Sequence, residues 1–231
     1  EFTDWLSAFI RVGGDVANVR SETIQNYGHH FFPTGRLNFS TAKYTELNSD
    51  FLFMIDKDIT DKLNLNANIG GNLSKRTFET MSVSGSQFKI PEPPFLNNTN
   101  IQSSTHSPLG IKKVNSLYAA VNLAYDDFMY LDLTARNDWS STLAKDNRSY
   151  FYPSASYSIL VDRFIDPSKE FLNMFKLRAS WAQVGGDTGV YQLYQTFSVP
   201  QDGYLGLTVL NGPTVKLKPD LKPETITSSE F

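Results

Sequence analysis

Residues 63–73 read Leu63-Asn64-Leu65-Asn66-Ala67-Asn68-Ile69-Gly70-Gly71-Asn72-Leu73, with an apolar or small residue at every odd position and Asn or Gly at every even one. Successive side chains on a strand point to opposite faces, so this period of two predicts a strand. One face carries Leu63, Leu65, Ala67, Ile69 and Leu73, and the other an asparagine ladder. The same rhythm recurs outward from here. Leu117, Ala119, Val121, Leu123 and Tyr125 alternate with smaller or polar residues; after Asp126-Asp127, Met129, Leu131, Leu133 and Ala135 alternate with Tyr130, Asp132, Thr134 and Arg136. These two runs predict a hairpin with a very short acidic turn. Phe151, Ala155, Tyr157, Ile159 and Val161 form a further apolar face, and Phe175, Leu177, Ala179 and Trp181 another. Asn48 to Ile55 reads as a less regular strand entering a turn at Asp56–Asp61, and Asp4 is expected to cap a short helix carrying Trp5, Leu6, Phe9 and Ile10.

Composition narrows the class. The 231 residues contain no cysteine, which excludes disulfides, thiolate metal sites and cysteine nucleophiles. A net charge of -3 provides no footprint for a nucleic-acid backbone, so no nucleic-acid partner is expected. No apolar run approaches the roughly 20 residues of a membrane-spanning helix. No basic start followed by an apolar core marks a signal peptide at the first residues. A membrane β-barrel hides its apolar signal on every second residue, and three features favour one over a soluble one-sided sheet. The runs last about ten residues, the length of a tilted bilayer crossing. Connections alternate between short ones (Asp56–Asp61, Asp126-Asp127) and long ones expected from Ser74 to Val114 and from Gly185 to Glu224. Rings cluster near predicted strand ends (Tyr125, Phe128, Trp139, Tyr150, Phe151, Tyr152, Phe175), as an interfacial girdle requires.

Three stretches are specific at family level. Leu131-Asp132-Leu133-Thr134-Ala135-Arg136-Asn137-Asp138-Trp139-Ser140-Ser141-Thr142-Leu143, followed by Asn147-Arg148-Ser149-Tyr150-Phe151-Tyr152-Pro153-Ser154, resembles the SusC/RagA family of TonB-dependent outer-membrane transporters of Bacteroidetes. Lys176 to Asp187 (Lys-Leu-Arg-Ala-Ser-Trp-Ala-Gln-Val-Gly-Gly-Asp), and Leu221-Lys222-Pro223-Glu224-Thr225 with Ser229-Glu230-Phe231, look like the same family, and Asn48-Ser49-Asp50-Phe51-Leu52 matches more weakly. Ala144 stands where the family commonly has Pro, and Gly185-Gly186-Asp187 where it has Gly-Asn-Asp.

The resemblance implies an all-β fold: an antiparallel transmembrane β-barrel of about 22 strands, closed around a plug. With no plug or TonB-contacting segment recognisable, residues 1–231 read as a portion of the barrel domain supplying six strands and the start of a seventh near Thr225. The resemblance further implies the Gram-negative outer membrane, energised import of oligosaccharides or peptides by plug movement, a SusD-like surface lipoprotein, the TonB complex, and no catalysis or cofactor. The competing class is a soluble, secreted β-sandwich that binds carbohydrate. A wall exposes Leu131, Leu133, Leu177 and Trp181 on its lipid face, whereas a sandwich buries them against a second sheet.

Candidate chemistry is sparse. Adjacent His29-His30 would point to opposite strand faces, and His106 stands apart, so neither reads as a metal site. Ser84-Gly85-Ser86 lacks a nucleophile elbow, and Gly13-Gly14 and Gly185-Gly186 lack the setting of a phosphate cradle. Asn64, Asn66, Asn68, Asp132, Arg136, Lys176 and Arg178 are candidates to line a wet lumen, where they would touch water, a plug or solute. No substrate-binding residue is singled out.

Overall fold

A computed structural model describes residues 3–107, 109–164, 174–200 and 203–231. The strands are β1 (Leu6–Gln25), β2 (Arg36–Thr60), β3 (Leu63–Phe88), β4 (Thr99–His106), β5 (Gly110–Tyr125), β6 (Met129–Ser140), β7 (Ser149–Leu160), β8 (Lys176–Gly186) and β9 (Glu224–Glu230). They form a nine-stranded sheet in the order β1-β2-β3-β5-β6-β7-β8-β9, with β4 added to β3. No second sheet covers it among the described residues, which overturns the sandwich alternative. The sheet does not close on itself, and β1 and β9 are its outer members. By contacts the chain divides into two compact units, Glu1–Val12 with Ser49–Ser74 and Lys112–Phe231, and Gly13–Asn48 with Lys75–Ile111.

In the first unit, the register across β5 to β8 sorts the side chains into rows. One face carries Tyr125, Met129, Ile159 and Leu177; then Leu123, Leu131, Tyr157 and Ala179; then Val121, Leu133, Ala155 and Trp181. The opposite face carries Asn122, Asp132, Ser156 and Ser180, and next to them Ala120, Thr134, Ser154 and Ala182. Apolar residues are thus stacked on apolar and polar on polar over four strands. The apolar face is open: Leu133 is 42% exposed, Leu177 51% and Trp181 41%. The Asp126-Asp127 turn is as short as expected, with positive φ at both residues (48° and 58°) and Phe128 N donating to Tyr125 O. Aspartate tolerates that conformation better than bulkier residues do.

In the second unit, β3 and β4 pair from Met81 with His106 to Phe88 with Thr99. Ser and Thr recur along β3 and β4, and hydroxyl bonds join the two strands at Thr80–Ser107 (2.7 Å) and Ser84–Ser103 (2.8 Å). Leu37, Phe88 and Thr99 are buried. Gly35 enters β2 at φ +77°, and a Cβ there would lie 2.2 Å from Phe88 Cδ2, so only glycine fits.

Several expectations are corrected. The residues expected to form a helix at Asp4–Ile10 belong from Leu6 onward to β1; Asp56 N donates to Trp5 O, and this long-range pairing outweighs the local spacing. The expected turn Asp56–Asp61 is strand as far as Thr60. Ser74 to Val114 is mostly strand, because β3 continues to Phe88, β4 intervenes and β5 starts at Gly110. Among the described residues the strands therefore number nine rather than six or seven. The long connection before Glu224 and the strand beginning there agree with expectation.

Candidate functional site

The polar face of β5 to β8 is a network of paired charges. Arg136 of β6 is at its centre: Nε donates to Asp138 Oδ1 (2.8 Å) and Nη2 to Ser116 Oγ (2.9 Å), while the guanidinium lies 5.8 Å from the centre of the Tyr118 ring. Tyr152 of β7 donates its hydroxyl to Asp138 Oδ2 (2.6 Å). Asp138 is only 6% exposed, and both its oxygens are occupied, as a buried carboxylate requires. Strand alternation places all these groups on one side, since residues 116, 118, 136, 138 and 152 share parity in the register. Tyr150 stacks on Tyr152 with ring centres 5.9 Å apart. Gly185 of β8 lies so close that a Cβ would come within 2.5 Å of Tyr150 Cδ2.

A second cluster forms where β8 ends. Asp187 Oδ1 accepts from Lys112 Nζ (2.6 Å), and its Oδ2 accepts from Ser140 Oγ (2.5 Å) and Thr142 Oγ1 (3.4 Å). Burial would raise the Asp187 pKa, but the hydrogen bonds from Lys112 and Ser140 outweigh it and hold the carboxyl below its ordinary value.

Of the lumen candidates read from sequence, Asp132 accepts from Asn122 on the facing strand and Arg178 pairs with Glu230. Lys176 Nζ lies 6.0 Å from the centre of the Tyr130 ring. Asn64 donates to Asp58 (3.0 Å) and Asp56 (3.4 Å). Asn66 and Asn68 line a shallow depression with Trp5 and Met54. A Cβ on Gly70 would meet the Tyr118 ring at 2.7 Å, so the even-numbered asparagines of β3 share the face of Arg136. Tyr118, Asp138, Lys112 and Asp187 were not singled out from sequence as site residues, and Tyr152 only as a girdle ring. The only signal for them lay in the spacing Asn137-Asp138-Trp139-Ser140 and in the Asp that follows Gly185-Gly186.

Some rings are placed differently from expectation. Trp139 and Phe151 lie on the apolar face and Tyr125 at its other end, where Phe128 contacts both Tyr125 (5.9 Å) and Phe164 (5.2 Å). Tyr150 and Tyr152 face the polar side and belong to the Arg136 network instead of a girdle. Outside this unit, His29 Nδ1 accepts from Phe31 N (3.2 Å), and His106 Nε2 pairs with Glu79 Oε1 (2.6 Å). No group of three or more His, Asp or Glu side chains converges among the described residues.

The family model described as TonB dependent receptor-like, beta-barrel matches residues 2–231. The chain belongs to this family. TonB-dependent receptor P26 of Formosa agariphila is 35% identical over 88 residues, which cover 37% of this chain and 8% of that protein. The fold superposes on the RagAB peptide transporter with a TM-score of 0.80 at 20% identity, covering 97% of this chain and 26% of that one. It superposes on the RagAB peptide importer in its closed-closed state at 0.77 and in its open-open state at 0.74. The chain therefore spans about a quarter of the solved structures it matches. Family membership agrees with the SusC/RagA resemblance of residues 131–231 and extends it over the N-terminal strands, where the sequence carried no comparable motif.

Proposed function

We propose that this chain is part of the wall of a TonB-dependent importer in the Gram-negative outer membrane, taking up oligosaccharides or peptides without catalysis. In this reading β1 and β9 pair with further strands of the same barrel, because unpaired edge groups in lipid cost several kcal/mol each. A SusD-like surface lipoprotein delivers the solute, and the TonB complex supplies energy through a plug that the Arg136 face would meet.

The apolar band of β5 to β8 carries the proposal. Along β6 it runs from Met129 to Ala135 and, past Asn137, ends at Trp139, with rings at both ends. At about 3.3 Å per residue and a tilt of about 40°, those ten steps rise about 25 Å, the height of the lipid-facing band of an outer-membrane barrel. The opposite face, with Arg136, Asp138 and Asp132, would be unstable in lipid and belongs against water or protein.

The test is thiol labelling of the full-length receptor in outer membranes. A membrane-impermeant maleimide should label Ser158→Cys and spare Leu177→Cys. Equal labelling of the two, or a receptor that is soluble without detergent, would refute the wall. A deletion strain grown on peptides or on oligosaccharides as sole carbon source assigns the solute class, and undiminished growth on both would end the import reading. Co-purification of a surface lipoprotein with the receptor tests the partner.

A further inference from the structure

The 187–223 connection starts and finishes on one short segment. At its first residue, Asp187 is bound by Ser140 Oγ (2.5 Å), Thr142 Oγ1 (3.4 Å) and Lys112 Nζ (2.6 Å). Near its last residue, Asn147 Nδ2 donates to the carbonyls of Asp220 (3.0 Å) and Leu221 (3.2 Å). Both anchor points therefore rest on residues 140–147, the last residue of β6 and the connection that follows it.

That connection is built to be rigid. Ser140 N donates to Arg148 O (3.0 Å), closing it at the base, and Asn147 N donates to Ala144 O (2.8 Å). Arg148 Nε donates to Leu143 O (3.3 Å), and Ser141 N donates to Lys113 O (2.9 Å) on β5. Ser140, Thr142 and Leu143 are 0%, 4% and 1% exposed. The side chains of Lys112 and Asp187 are 25% and 13% exposed, so their ion pair is partly shielded from solvent, and removing one partner leaves the other charge uncompensated.

We propose that residues 140–147 form a two-point platform for the 187–223 connection, with Asp187 and Asn147 as the positioning residues that fix its two ends. Asp187 holds through charge, because its partners are an ammonium and two hydroxyls. Asn147 holds through its amide alone and is indifferent to the sequence it grips, since it binds only backbone carbonyls. The platform rests on neither the solute nor the energy source proposed above.

The connection carries its own reporter. Lys216 is its only basic residue not followed by proline, since Lys218 precedes Pro219 and Lys222 precedes Pro223. Trypsin therefore has one favourable bond there, Lys216–Leu217. When opening is fast relative to cleavage, the nicking rate follows the population of the released form. The experiment measures nicking at this bond by mass spectrometry in the full-length receptor, with the heat-modifiable band as an independent check that the barrel has formed. Asp187→Asn and Asn147→Ala should each speed nicking about ten-fold or more. Asp187→Glu and the swap Lys112→Asp with Asp187→Lys should bring the rate back toward that of the native protein. Native-rate nicking in folded Asp187→Asn and Asn147→Ala receptors overturns the platform, as does failure of both the Glu variant and the swap to slow it again. If Asp187→Asn yields no barrel, Lys112→Gln and Asn147→Ala, which keep the carboxylate, carry the same test: faster nicking supports the platform and native-rate nicking refutes it.

Discussion

Leu133 and Ser156 lie one register step apart on opposite faces of the same sheet, and placing an arginine at each separates membrane solvation from strand propensity. Leu133 occupies the apolar row with Val121, Ala155 and Trp181 near the middle of β6, and is 42% exposed. If that exposure is to lipid, Leu133→Arg should destabilise the barrel by about 2–4 kcal/mol, the range for arginine near a bilayer midplane. At 1.4 kcal/mol per decade this lowers the folding equilibrium by about 30-fold to 700-fold. Ser156 faces Asp132 and Ser180 across its two strand neighbours. An arginine there gains a carboxylate partner on a wet face, so Ser156→Arg should change stability by no more than about 1 kcal/mol. Urea titration of the full-length receptor in lipid vesicles, followed by tryptophan fluorescence, measures both. Equal costs for the two variants, or a larger cost for Ser156→Arg, would refute the facing derived from the register.

Three further outcomes follow from the same geometry. Arg136→Met leaves the 6%-exposed Asp138 with Tyr152 as its remaining side-chain partner and should cost about 3–5 kcal/mol in urea titration, much of it recovered in the double variant with Asp138→Leu. Gly70→Ala puts a Cβ 2.7 Å from the Phe51 carbonyl oxygen and the Tyr118 ring and should cost about 1–3 kcal/mol, whereas Gly13→Ala meets nothing within 4 Å and should be near neutral in the same titration. The Asp187 carboxyl is held below its ordinary value of 3.8, so its stabilisation is fully present above about pH 4 and is lost as pH falls through the lower folded value. Trp139 emission or acid-stable protease nicking near the 140–147 segment should change in that acidic window in the native protein and stay flat there in Asp187→Asn.

Much of the first unit was legible because a sheet with one apolar face imposes a rule on every second residue. Within β5 to β8 the stretches 117–125, 129–136, 155–159 and 176–181 alternate apolar with polar or small residues, so their existence, the Asp126-Asp127 turn and the two faces follow from the residues. Where no apolar face is required the signal disappears. β3 beyond Leu73 and β4 carry Ser and Thr on both sides, and their pairing rests on cross-strand hydroxyl bonds such as Ser84–Ser103, which no spacing predicts. β1 was misread for a different reason: Trp5, Leu6, Phe9 and Ile10 fit a helical turn locally, and only pairing with a distant strand decides otherwise. The polar networks were half legible. Arg136 and Asp132 could be placed on one face by parity, but the partner of Asp187 lies at Lys112, far away in sequence, and only the fold brings them together.

The 187–223 connection leaves and rejoins the sheet at neighbouring points on residues 140–147. Its span is therefore set by the anchors and not by how much chain lies between them. Closing a flexible loop costs only about 0.6 kcal/mol more for each doubling of its length. With its two ends held there, inserts of other lengths between Asp187 and Asp220 are expected to leave β8, β9 and their register as they are.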